Sequence, residues 1–176
     1  MSEVAMKPEI RVIEEADARD FWDLRLRGLK EDPEAFGASY NDSVNMAVED
    51  IRKRLAPTED AFVLGAFNPK PCGMLGFFRR VGERARHKGF IWGVYVAPEG
   101  RGLGLARRLM NECIERAKKM DGLEEVILTV STTQDVAMKL YESMGFKEYG
   151  HEVQALKQGD IYIDEKMMGL RLKPHG

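Results

Sequence analysis

Apolar and polar side chains alternate over residues 9–13, and the run ends in Glu14-Glu15-Ala16-Asp17, which predicts a short strand followed by a helix start. Over residues 17–30, Ala18, Phe21, Trp22 and Leu29 recur at helical spacing with charges between them, so an amphipathic helix covers the stretch and stops at Glu31-Asp32-Pro33. Residues 31–43 hold turn formers at Pro33, Gly37, Asn41 and Asp42, interrupted by Phe36 and Tyr40, and this aromatic-bearing loop is a candidate lid. Val44, Ala47, Ile51 and Leu55 then fall on one face of a second helix. After Pro57 the period changes. Residues 61–67 and 72–80 are short apolar runs joined by Asn68-Pro69-Lys70-Pro71, which predicts an antiparallel hairpin, and residues 81–88 form a charged second turn.

Residues 90–96 (Phe-Ile-Trp-Gly-Val-Tyr-Val) are nearly all β-formers, as a central strand covered on both faces requires, and Gly93 marks a possible bulge. The clearest helix follows, with Leu103, Ala106, Met110, Cys113, Ile114 and Ala117 as its apolar stripe. Glu112/Arg116 and Glu115/Lys119 are its expected i,i+4 pairs, and Asp121-Gly122 stops it. Residues 125–130 read as a fifth strand, and Ala137, Leu140, Tyr141 and Met144 define a short helix closed by Gly145. Residues 146–153 and 160–172 close the chain as a strand pair joined through Lys157-Gln158-Gly159-Asp160. The elements predict a single α/β domain: a mixed, largely antiparallel sheet of six to seven strands flanked on both sides by about four helices.

Composition narrows the function classes. The chain has 176 residues, 44% of them apolar, which suits one core and one domain over residues 1–176. Lys+Arg number 27 and Asp+Glu 29, a net charge of −2, so a surface serving as a nucleic-acid footprint is not expected and any anionic partner must be held locally. No apolar run approaches the ~18 to 20 residues that span a bilayer, and residues 1–8 lack the apolar core of a leader, which together read as a cytoplasmic chain with no membrane partner. Cys72 and Cys113 stand far apart, and His87, His151 and His175 are scattered with no H-E-x-x-H, so neither a disulfide framework nor a metal site is expected.

Where the central strand ends, Gly100, Gly102 and Gly104 occupy every second position before a helix. Such a turn is either a tight connection or a cradle in which backbone N–H groups converge on an anion at the positive end of the helix. Arg107 stands where a dinucleotide fingerprint needs its third glycine, and the Gly-Lys-Ser/Thr of a Walker loop is absent. Arg101, Arg107 and Arg108 add full positive charge, which suits a pyrophosphate with a further phosphate nearby.

Glu99-Gly100-Arg101-Gly102-Leu103-Gly104 resembles the cofactor loop of the GNAT superfamily of acyl-CoA-dependent N-acetyltransferases, Gln/Arg-x-x-Gly-x-Gly/Ala, with Glu99 in place of Gln/Arg. Residues 134–146 are similar to a second segment of that family, Asn-x-x-Ala-x-x-Leu-Tyr-x-x-x-Gly-Phe, with Gln134 in place of Asn. The resemblance implies acetyl-CoA lying in a splay between strands four and five, its pantetheine arm paired with Val94 and Val96 and its carbonyl aimed at a strand N–H near Tyr95 or Val96. It implies cofactor contacts from Glu99, Gly100, Arg101, Gly102, Leu103, Gly104 and Gln134, with Tyr141 protonating the departing thiolate. Neither cysteine falls in these motifs, so direct transfer in a ternary complex is expected over an acetyl-cysteine.

The acceptor left open is a small amine or a protein N-terminus or lysine, and the acidic residues Glu31, Asp32, Glu34 and Asp42 would suit a cationic one. The general base is unassigned between Glu83, His87 and a water relay. A non-catalytic acyl-CoA-binding or sensor domain is the alternative reading, and a homodimer is implied by the resemblance alone.

Overall fold

A computed structural model describes residues 7–173; most of the N-terminal stretch read above for a leader, and His175, lie outside the described residues. Seven strands, β1 (Glu9–Val12), β2 (Ala61–Phe67), β3 (Pro71–Arg79), β4 (Lys88–Val96), β5 (Glu125–Ser131), β6 (Lys147–Gln158) and β7 (Ile161–Arg171), form one sheet in the order β1-β2-β3-β4-β5-β7-β6. Every pairing is antiparallel except β4 with β5. That exception follows from connectivity: β4 and β5 are joined by a crossover helix, whereas tight turns join β2 to β3 and β6 to β7.

The helices α1 (Ala18–Glu31), α2 (Tyr40–Ser43), α3 (Val48–Leu55), α4 (Leu105–Lys118) and α5 (Asp135–Ser143) cover both faces. Phe21, Trp22 and Leu29 of α1 and Ile51 and Leu55 of α3 pack with Val63, Met74 and Tyr95 on one face. Leu105, Leu109, Met110 and Cys113 of α4, with Tyr141 of α5, pack on Leu64, Leu75, Ile91 and Leu128 on the other. The outcome is a single α/β domain with a seven-stranded mixed sheet, the architecture expected.

Three local expectations change. The helix expected from Val44 to Leu55 is two: Val44 caps α2, and Ala47 turns extended (φ −64, ψ 144) before α3 begins. Of the face expected there only Ile51 and Leu55 are buried, while Val44 is half-buried and Ala47 exposed. In α4 Met110, Cys113, Ile114 and Ala117 form the buried stripe as expected, but Leu105 and Leu109 begin it in place of Leu103, which precedes the helix and is 48% exposed. Glu112 pairs with Arg116 at 2.7 Å as expected, but Glu115 meets Lys118 at 2.8 Å rather than Lys119, which lies beyond the last helical residue.

Candidate active site

Parallel pairing of β4 and β5 extends only over Lys88↔Glu125, Gly89↔Val126 and Phe90↔Ile127, with a Lys88–Glu125 ion pair of 3.2 Å at that end. Beyond it the strands separate. Gly93 adopts φ +62, and the register against β3 slips between Met74 and Gly76, so β4 is bulged where the sequence places the glycine. The extra residue shifts the alternation of side chains: Trp92 and Tyr95 both pack with the α1 layer, whereas Ile91, Val94 and Val96 pack with the α4 layer.

Backbone direction follows from one bond. Ala97 N donates to Cys72 O at 2.8 Å, which makes that opposite pair hydrogen-bonded. By the two-residue alternation of an antiparallel ladder, Tyr95 turns its polar groups to Met74, and Val94 and Val96 turn theirs toward the side that β5 has left. A cavity of about 1130 Å³ fills the gap, lined by Val94, Tyr95 and Val96 on one wall and residues 128–131 of β5 on the other.

The glycine turn closes one end of this cavity. Gly102 (φ +78) and Gly104 (φ +69) take left-handed backbone, and a Cβ on either would meet nothing within 4 Å. Their positions are open toward an approaching group. Gly100 differs, because a Cβ there would stand 3.1 Å from Val96 Cγ1 and 3.2 Å from Cys72 O, so its bare backbone lets the turn lie against β3 and β4. Gly104 caps the 14-residue α4, whose first turn carries no acidic residue, so its positive end faces the cavity uncompensated. Arg101 and Arg107 line the same end, Arg101 Nε donating to Val96 O at 3.2 Å and Arg107 to Ser143 Oγ at 2.8 Å. Arg108 turns away and donates to Pro8 O at 2.7 Å.

Glu99 and Leu103, both expected at the cofactor, are not among the lining residues. Glu99 faces Arg27 at 2.6 Å, which holds its carboxyl below the usual carboxylate range, and Leu103 points to solvent. Open backbone at Gly102 and Gly104, an uncompensated helix end, and the Val94 backbone and Val96 N–H turned away from β3 together fit an extended chain ending in phosphates.

Tyr141, 6% exposed, lines the cavity from α5 with its ring 6.0 Å from that of Phe146. Burial pushes its hydroxyl up to about 12. Gln134 also lines the cavity, donating through Nε2 to Asp32 at 3.0 Å. Cys113 is fully buried, and burial pushes its thiol up, so it offers no thiolate to the site.

The expected lid is tied down. Ser131 Oγ donates to Glu34 O at 2.6 Å, Thr133 to the Glu34 carboxylate, and Gln134 to Asp32, so residues 32–34 bridge the far end of the gap between β4 and β5. Phe36 is buried beneath, 5.9 Å from the ring of Tyr95. The acidic side chains of this segment are engaged: Glu31 with Arg27 and the Tyr95 hydroxyl, Asp42 with Ser39.

Neither Glu83 nor His87 reaches the cavity. His87 sits at the paired end of β4, where its carbonyl accepts from Glu124 and Glu125. The carboxylates that do line it are Asp32 and Glu165, and burial followed by Glu152 raises Glu165 above the usual range. Arg25 also lines it, 4% exposed, with Nε and Nη1 lacking any hydrogen-bond partner. Burial first, then the nearby charge of Arg54, brings Arg25 down to about 10. One signal for it stood in the sequence: Arg25 lies four residues after Phe21 and four before Leu29, a charge on the apolar stripe of α1.

Residues 16–146 match the model of the Acetyltransferase (GNAT) family. A spermidine N(1)-acetyltransferase of Vibrio cholerae is 25% identical over 90% of each chain. An acetyltransferase of the GNAT family from Streptococcus pneumoniae superposes with a TM-score of 0.82 at 26% identity, covering 93% of this chain and 99% of that one. A candidate acetyltransferase of Salmonella typhimurium, whose structure holds its cofactor acetyl-CoA, gives 0.79 at 19% identity over 97% of both chains.

Proposed function

The chain belongs to the GNAT acetyltransferase family, and from that premise we propose that it moves the acetyl group of acetyl-CoA to a primary amine by direct attack in a ternary complex, with Tyr141 as the acid. Membership makes it an acetyl-CoA-dependent N-acetyltransferase; the route of transfer and the residues that carry it are the proposal. The carrying observation is the gap between β4 and β5, which puts the backbone of Val94 and Val96, the Gly102–Gly104 turn and Tyr141 on one cavity.

Acetyl-CoA supplies an acetyl group activated as a thioester. Gly102, Gly104, Arg101 and Arg107 receive its phosphates, and Val94 and Val96 align its arm along the strand as β5 would otherwise do. A backbone N–H at Val96 stabilises charge on the acetyl oxygen, a donor of the kind whose loss costs about 3 kcal/mol in the barrier. Tyr141 holds its proton at every working pH and presents it in a buried setting. Against a free thiol near ~8.5, a hydroxyl at about 12 makes full proton transfer uphill by ~5 kcal/mol. A thiolate in the same cavity is desolvated too, which raises its own proton affinity and narrows that gap. The ammonium of the acceptor loses its proton to water or to Asp32 or Glu165, the carboxylates on the cavity wall.

Acetyl-CoA binding by calorimetry, followed by thiol release against a panel of amines and basic peptides, tests the reading. Amine-dependent release is the expected result. Binding without release from any amine would remove the transferase assignment for this site.

A further inference from the structure

Arg25 is buried in the cavity and takes no part in the chemistry above. Trp22, Phe36 and Trp92 surround it, their ring centres 5.6, 5.4 and 5.2 Å from the guanidinium carbon. Its Nη1 lies 3.2 Å from where a Cβ of Gly93 would stand, which places it at the β4 bulge on the α1 side of the sheet. No carboxylate among the described residues pairs with it, and the charged group acting on it is another cation, Arg54. Arg54 stacks over Trp22 and Trp92 at 5.8 and 5.7 Å and lines the same cavity.

An interior guanidinium without a partner is strongly unfavourable, and its planar fork of N–H donors matches a carboxylate in two parallel bonds. The nearby acids accept from other groups, Glu31 from Arg27 and Tyr95, Asp32 from Gln134 and Glu34 from Thr133, and none of them pairs with Arg25. A polyamine entering here would bring positive charge against two guanidinium groups. We infer that Arg25, with Arg54 beside it, binds a carboxylate of the acceptor, so that the acceptor is a small molecule of amino-acid type carrying both an amine and an anion. The inference rests on the transferase reading for its amine and on Arg25 alone for its anion.

Trp22 and Trp92 are the chain's two tryptophans, so intrinsic fluorescence reports on the surroundings of Arg25. The experiment titrates the CoA-bound protein with each common L-α-amino acid, its C-terminal amide and spermidine, and runs thiol release from acetyl-CoA with the same compounds. At least one amino acid is expected to change the fluorescence and to be acetylated with a kcat/KM ~100-fold above that of its amide, because the amide leaves the buried guanidinium unpaired. Arg25→Met is expected to abolish that preference and to leave acetyl-CoA affinity unchanged. Arg54→Gln, at an exposed position, is expected to raise the KM for the amino acid about 10-fold and serves if Arg25→Met does not fold.

Equal use of acid and amide, or turnover of spermidine alone, would overturn the inference while leaving the transferase reading in place. A preference unmoved in both variants would overturn it as well. Amino-acid binding without thiol release from any amine would instead sink the transferase reading and retain the anion site.

Discussion

Tyr141 and Arg25 lie in one cavity, and burial alters both in opposite senses of charge: the hydroxyl keeps its proton more firmly, and the guanidinium holds its own less firmly. For Tyr141 the direction sets the pH behaviour. A group at about 12 is protonated throughout the range in which the protein works, so it contributes no falling limb below pH ~10. kcat/KM is expected to rise with pH as the acceptor amine becomes neutral, and Tyr141→Phe is expected to lower kcat by ~100-fold across that profile with the KM for acetyl-CoA preserved. An unaltered kcat in the folded variant would dismiss Tyr141 as the acid. At this scale the sequence was legible where a residue sat inside a motif. For Arg25 it showed only a charge on the apolar stripe of α1, because a helical period does not say that three aromatic rings close over that position.

Among the elements, the turn into α4 separates roles that three identical residues conceal. Gly100 serves packing, whereas Gly102 and Gly104 serve backbone direction and open approach. Gly102→Val places a branched side chain at φ +78, strained by ~1 to 2 kcal/mol, and directs it into the open space where the proposed phosphate would sit. Its KM for acetyl-CoA is expected to rise at least ~10-fold in steady-state kinetics, the worth of one charge-assisted hydrogen bond. Gly100→Val is expected to act on stability instead, read as a lowered melting temperature. Strand and helix identities were readable here because burial enforces period, and the bulge at Gly93 was readable because a glycine interrupts a β-forming run. The phase of α4 was not: Leu103 and Leu105 are both leucines, and only the left-handed Gly104 between them decides which one enters the helix.

At the scale of the whole molecule, the separation of β4 from β5 leaves strand backbone that a bound chain can pair. Acetyl-CoA at 100 times its Kd is expected to stabilise the protein by ~2.7 kcal/mol and raise its melting temperature by ~5 to 10 °C, measured by calorimetry. No shift would disconnect the gap from cofactor binding. The three hydrogen bonds from residues 131–134 to residues 32–34 were invisible in sequence, since they join positions about a hundred residues apart and involve ordinary Ser, Thr and Gln side chains. They turn the expected flap into a crosspiece. No helix among the described residues is long and apolar enough to cross a membrane.

The shifted alternation at the Gly93 bulge has a consequence for how such a protein diversifies. Trp92 and Tyr95 belong to the α1 layer with Arg25, and Val94 and Val96 to the α4 layer with Tyr141, so on the proposed reading the two reactants would be served by opposite faces of one sheet and meet through a slot in it. On that reading a substitution in α1 or α3 can recast the chemistry of the acceptor while the α4 layer stays as it is, except at Arg27 of α1, which holds Glu99 beside the glycine turn. Exchange of the acceptor would then proceed one helix at a time, on the face of the sheet away from α4.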